Sequence, residues 1–237
     1  MNKTDSDIPK IGLAALFITS LVTAQLIAVK ILALPLPTSI PVVGESIVVP
    51  AGVVAYSLTY LASDSYAELY GRRSAQVMVN LGFGMNFVWL GLLWLAIEAP
   101  ASPAGVAPEA FRQVLGLSTN IVIGSLAAYV ISQNWDVIAF HKIGDITQGD
   151  HLWIRNIGST GTSQLIDTTI FVMVAFYLVP TVLGFGHALP GSVLVQLIVG
   201  QYIIKLLIAL LDTPFVYAIV ELVRTNNWAE SQWTSAD

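Results

Sequence analysis

The sequence has no cysteine, only three histidines and few charges, and each shortage removes a class of protein. Without cysteine there are no disulfides and no thiolate metal sites. His141, His151 and His187 are scattered without ligand spacing, so no metal site is expected. No HExxH or GxSxG motif is present and no histidine falls in the core of an apolar run, which excludes the common hydrolase chemistries. There is no GxxxxGK[ST] loop, so the chain is not by itself an ATP-driven pump of the usual type. Its ten lysines and arginines form no basic run, which argues against a nucleic-acid partner. No catalytic residue and no cofactor is assigned. Charged residues make up only 11% of the chain, too few to cover a soluble globule.

Apolar side chains are what is abundant: 55% of residues are hydrophobic and the mean hydropathy is +0.74. Such a chain belongs in a lipid bilayer. Each helical crossing needs about 20 apolar residues, so 237 residues accommodate roughly six or seven crossings with short loops. The sequence therefore predicts an all-α integral membrane protein, a single transmembrane domain over 1–237 built as a bundle of six helices. The spans fall at about 11–34, 46–70, 75–97, 114–140, 157–183 and 192–222, between short polar tails. The first apolar run is too long for a cleaved signal region. Lys3 and Lys10, Arg72 and Arg73, Lys142 and Arg155, and Arg224 flank one set of span ends, whereas the alternate loops carry only Arg112. By the positive-inside rule both termini are cytoplasmic, in a multi-pass protein of the plasma membrane.

Polar groups inside these spans mark the expected site. Gln164 and Asp167 lie in the apolar run that follows Arg155 and Asn156. A carboxylate near mid-span costs roughly 2.5–3.5 kcal/mol on insertion scales, so Asp167 should face protein or a water-filled cavity. ISQNWDVIAF in span four and TSQLIDTTIF in span five repeat one pattern. Ser132, Gln133, Asp136 and Phe140 match Ser163, Gln164, Asp167 and Phe171 at one constant offset. With Asp136 late in its span and Asp167 early, both fall on the cytoplasmic half. On span six, Gln201, Lys205 and Asp212 share one helical stripe. Lys205 requires an anion, and Asp212, Asp136 and Asp167 are the possibilities; a buried ion pair that only fixes packing is the competing reading. Seven polar groups on three spans favour a polar pocket.

Other polar groups suit a gate or a coupling path. Tyr56, Tyr60, Asp64 and Glu68 recur every four residues and share one face of span two. They line the end of a polar pathway, or else the two acids sit in headgroup water and pair with Arg72 and Arg73. Lys30, near the far end of span one, either serves the pathway or snorkels to the interface, and Arg155 and Asn156, at the entry to span five, belong to the same gate or coupling set. A carrier of a small polar solute is the class that remains.

Five stretches then carry a resemblance: VPAGVVAYSLTYLASDSYAELYGRRSA, RNIGSTGTSQLIDTTIFVMVAFY, QYIIKLLIALLDTPFVY, AQLIAVKIL and ISQNWDVIAFH. Together they resemble the queuosine precursor transporters, also described as a vitamin uptake transporter family, across all six spans. The chain departs at Ser57, Ala67 and Gln25, where proline, asparagine and asparagine are usual. The resemblance implies import across the inner membrane of a 7-deazaguanine such as 7-cyano-7-deazaguanine, used for tRNA modification. A guanine-like edge offers N–H donors beside a carbonyl, so a carboxylate can accept two donors. Asp167 or Asp136 would grip that edge, with Gln133, Gln164 and Lys205 completing the polar shell. Phe171, Phe140 or Tyr202 would stack on the ring, Phe171 lying deeper in its span than Phe140. Two other readings stand beside this one: a substrate-capture subunit of a multi-component vitamin importer, and a non-transporting membrane scaffold.

Overall fold

The computed structural model describes residues 3–40, 43–148 and 152–225, with side chains described at all of these except 3–6, 152–153 and 155–156. In chain order the elements are α1 Lys3–Ile27, β1 Ile31–Ile40, β2 Gly44–Pro50, α2 Gly52–Tyr70, α3 Arg72–Glu98, α4 Pro108–Leu115, α5 Ser118–Ile146, α6 Leu152–Met173, a π-helical turn Val174–Leu178, α7 Val179–Leu183 and α8 Gly191–Thr225. Among the described residues, five helical segments are long and apolar enough to cross a bilayer: Asp7–Ile27, Arg72–Glu98, Pro108–Ile146, Ile157–Leu183 and Gly191–Thr225. The second expected span is not one of them. Its 19-residue helix α2 would reach about 28 Å at 1.5 Å per residue, but the stripe of Tyr56, Tyr60, Asp64 and Glu68 dilutes its apolar character.

A second departure explains part of the first. Residues 31–34, expected to finish span one, and 46–50, expected to begin span two, instead form an antiparallel hairpin. Ile31 pairs with Pro50 and Leu34 with Ile47. Pro50 therefore closes a strand rather than opening a helix. Lys30 sits exposed in the turn ahead of β1, its carbonyl accepting the Ala51 N–H at 2.7 Å.

The chain divides into two compact units, Met1–Ile27 with Gly52–Trp89 and Lys205–Asp237, and Ala28–Ala51 with Leu90–Ile204. In the first unit, Leu13, Phe17 and Leu21 recur every four residues on α1 and bury against Ala62 and Tyr66 of α2 and Ala75 and Met78 of α3. In the second, Ile121 and Ala128 of α5 join Phe171, Val172, Ala175 and Phe176 and then Leu194 and Leu197 of α8. The hairpin packs on that core through Ile31 and Val48. It approaches α8 so closely that a Cβ at Gly200 would collide with the Val48 carbonyl oxygen, which explains the glycine there.

The π turn has a covalent cause. Pro180 has no N–H to offer the carbonyl of Phe176 four residues earlier. That carbonyl instead accepts the Leu189 N–H at 2.9 Å, tying the loop after α7 back onto the helix. Gly184, in the left-handed conformation at φ 72°, ends α7.

Candidate functional site

The two echoing motifs meet in the second unit. Helices α5 and α6 are consecutive and antiparallel, and their contacts keep one register. A Cβ on Gly124 would lie 2.8 Å from the Cβ of Ala175, and one on Gly158 would lie 2.8 Å from Cδ1 of Ile143. Trp135 Nε1 donates to Thr162 Oγ1 at 3.1 Å. In that register Ser132 faces Asp167: its hydroxyl stands 3.2 Å from Oδ1 of Asp167 and 3.3 Å from the Tyr129 carbonyl of its own helix, so its one proton is shared between the two acceptors. The serine of one copy thus serves the acid of the other. The reciprocal partners, Ser163 and Asp136, stand level with each other, but the Ser163 hydroxyl donates down its own helix to the Thr160 carbonyl at 3.1 Å.

Acceptors on these spans also lack donors. Among the described residues, Oδ1 of Asp136, Oε1 of Gln164 and Oε1 of Gln201 are buried and have no hydrogen-bond partner. A buried polar atom left unsatisfied costs about 1–3 kcal/mol, so three oxygens of one polarity demand an explanation. Gln201 lies on α8, and the neighbouring Tyr202 hydroxyl donates to the Gly161 carbonyl at 3.2 Å, which holds this part of α8 against the early turns of α6. Phe171 is buried one turn beyond Asp167 and meets Phe176 edge-on, with ring centroids 5.8 Å apart. The two helices thus bring Asp167, its serine neighbour and the buried Phe171 into one register.

Of the other predicted residues, Gln133 is exposed. In the first unit, Lys205 is buried and its Nζ lies 5.9 Å from the centre of the Tyr56 ring, while Asp212 is half-buried. Asp64 is exposed. Among the described residues Glu68 pairs with Arg224 of α8 at 3.1 Å rather than with Arg72 or Arg73, and the same guanidinium also reaches the Glu68 carbonyl at 3.5 Å. The side chains of Arg155 and Asn156 lie outside the described residues.

Sequence reasoning missed two features. The partnership of Ser132 with Asp167 was signalled only by the repeat itself. The second is a cavity of about 420 Å³ at the loop end of the second unit, lined by Asn120, Phe176, Phe185 and residues around them. Its one advance signal was Asn120, an amide inside an apolar run.

The chain is similar in sequence to known proteins. Residues 50–219 match the family described as "Putative vitamin uptake transporter". A curated relative from Bacillus subtilis (strain 168), named "Probable queuosine precursor transporter", is 34% identical over 177 residues, covering 73% of this chain and 72% of the relative. No solved structure matches the chain. On the extent of both matches, this protein is a multi-pass membrane transporter that belongs to the queuosine precursor transporter family, also described as vitamin uptake transporters.

Proposed function

We propose that the protein imports a 7-deazaguanine, such as 7-cyano-7-deazaguanine, across the plasma membrane for tRNA modification, with both termini in the cytoplasm. The observation that carries this reading is the set of buried oxygens without donors on Asp136, Gln164 and Gln201, beside the half-buried Asp167. A 7-deazaguanine presents a ring N–H and an exocyclic NH₂ on one edge, and such an edge supplies what these oxygens lack. Charge-assisted bonds to a carboxylate are roughly twice as strong as neutral ones, so Asp167 is the anchor. Ser132 fixes its rotamer, and Phe171 supplies a stacking face. In this reading Lys205, Asp212, Asp64 and Glu68 serve coupling or gating in the first unit, and Lys30, Arg155 and Asn156 complete the pathway's polar groups.

The name of the Bacillus relative supports the substrate class, and the acceptor-rich lining supports the guanine-like edge within it. The test uses cells unable to synthesise queuosine precursors, expressing this protein and supplied with 7-cyano-7-deazaguanine at limiting concentration. Queuosine should appear in their tRNA. An analogue lacking the exocyclic 2-amino group should compete at least tenfold less well for uptake. Failure of a well-inserted protein to restore the modification, or equal competition by the analogue, would contradict the reading.

A further inference from the structure

Helix α4 carries more apolar surface than the fold covers. The apolar segment Pro108–Ile146 is 39 residues long, about 58 Å at 1.5 Å per residue, whereas the hydrocarbon core of a bilayer is about 30 Å thick. The 29 residues of α5 already reach about 44 Å, so α4 is not needed for the crossing. The two helices are separate elements, parted at Gly116 and Leu117, whose carbonyls accept the N–H groups of Thr119 and Asn120, each at 3.0 Å.

The level of α4 is fixed by its neighbours. Arg112 Nη2 lies 2.7 Å from Oε1 of Glu98, the last residue of α3. The same guanidinium stands 5.8 Å from the centre of the Trp94 ring, and Trp94 Nε1 donates to Thr119 Oγ1 at 3.0 Å, at the start of α5. The middle of α4 is therefore held where two spanning helices end, beside a tryptophan of the kind that marks a membrane boundary.

Its faces are set the wrong way round for water. At about 3.6 residues per turn, Glu109, Arg112 and Gln113 fall on one side and Ala110, Phe111, Val114 and Leu115 on the other. The polar side meets the protein, since Arg112 and Gln113 line the loop-end cavity. No residue of α4 is buried, and Val114, on the apolar side, is 57% exposed. A helix lying against a soluble core turns those sides the other way.

We infer that α4 is an interfacial helix whose apolar face, formed by Ala110, Phe111 and Val114, docks into the boundary between headgroups and acyl chains of the lipid bilayer. Amphipathic helices of this kind sink about 5–10 Å into that layer. Glu109 and Arg112 then stay among the headgroups. Lipid is the occupant because α4 stands between two membrane-spanning helices and offers too small a face for a protein partner. Eight residues make a helix about 12 Å long, whereas a stable interface buries roughly 800 Å² on each side. Since α4 also forms one wall of the loop-end cavity, its seat in lipid sets the position of that wall.

The absence of cysteine makes a direct test possible. Val114→Cys and Ala110→Cys on the apolar face, and Glu109→Cys on the polar face, replace exposed residues and are labelled singly with an environment-sensitive fluorophore. The full-length protein is reconstituted into phosphatidylcholine vesicles with iodide on both sides. Both labels on the apolar face should be quenched at least threefold less by iodide than the label on the polar face. They should also be quenched at least threefold more by a lipid with a nitroxide high on its acyl chain than by one with the nitroxide near the chain end. Equal iodide quenching of all three labels would place α4 in water and overturn the docking. Apolar-face labels shielded from iodide and from both lipids alike would mean that protein covers the face, a second copy included, and stronger quenching by the chain-end nitroxide would make α4 part of the crossing; either result overturns it. No substrate is involved, so the outcome is independent of what the protein imports.

Discussion

At the scale of single residues, the chemistry centres on how Asp167 is held. Its Oδ1 accepts a hydrogen bond from the Ser132 hydroxyl on the facing helix at 3.2 Å, and a hydrogen bond to a charged group is worth roughly 1.5–3 kcal/mol. Ser132→Ala should therefore weaken apparent substrate affinity by about tenfold or more, each factor of ten being about 1.4 kcal/mol, with little change in the amount of inserted protein. Uptake kinetics over a concentration series measure this directly. Trp135→Phe is the matched control, since it removes a neighbouring bond between the same helices, Nε1 to Thr162 Oγ1 at 3.1 Å. It should leave affinity within about twofold, because neither group belongs to the acceptor cluster. Equal losses in both variants would mean that Ser132 acts only by packing α5 on α6. The Glu68–Arg224 pair is a different kind of contact, with both side chains more than half exposed. Pairs of that kind contribute roughly 0–1 kcal/mol, so Glu68→Gln should barely move the unfolding temperature. Any large effect on transport would then report gating rather than stability.

At the scale of elements, the register of α5 against α6 is what brings the sequence repeat together at the proposed site. Gly124 sets that register at one end, where a Cβ would sit 2.8 Å from the Cβ of Ala175 and 3.1 Å from the Phe171 carbonyl oxygen. Backbone atoms of the opposite helix cannot yield as a side-chain tip can. Gly124→Val should force the helices apart at a cost of about 1–3 kcal/mol, lowering the unfolding temperature of the detergent-solubilised protein and weakening substrate affinity together. The π turn is the second device of this kind. Pro180 frees the Phe176 carbonyl, the Leu189 N–H takes it, and the loop 184–189 is thereby fixed as one wall of the loop-end cavity.

At the scale of the whole molecule, the long apolar runs were legible because each crossing needs about 20 apolar residues in succession. The repeated SQxxD pattern located the acids for the same reason: polar residues stand out in apolar helices. The hairpin was not legible, since LPLPTSIPVVGE reads as a proline-rich turn and strand pairing between 31 and 50 is not encoded in any local period. Nor was the exposure of Gln133, which depends on where α5 turns its faces. The loop-end cavity escaped because its lining is gathered from separated stretches of chain. Orientation is open to a direct check in this cysteine-free chain. Ala104→Cys, in the exposed loop between α3 and α4, should react with an impermeant maleimide in intact cells, and Arg73→Cys, at the start of α3, only after permeabilisation. The opposite pattern would invert the assigned topology. The central claim, a carboxylate that grips the donor edge of a 7-deazaguanine, is tested most directly by binding of radiolabelled 7-cyano-7-deazaguanine to the purified, membrane-reconstituted protein, before and after adding Asp167→Asn. The account predicts saturable binding that the Asp167→Asn change abolishes while insertion and unfolding temperature stay unchanged; undiminished binding in the Asp167→Asn protein would contradict it.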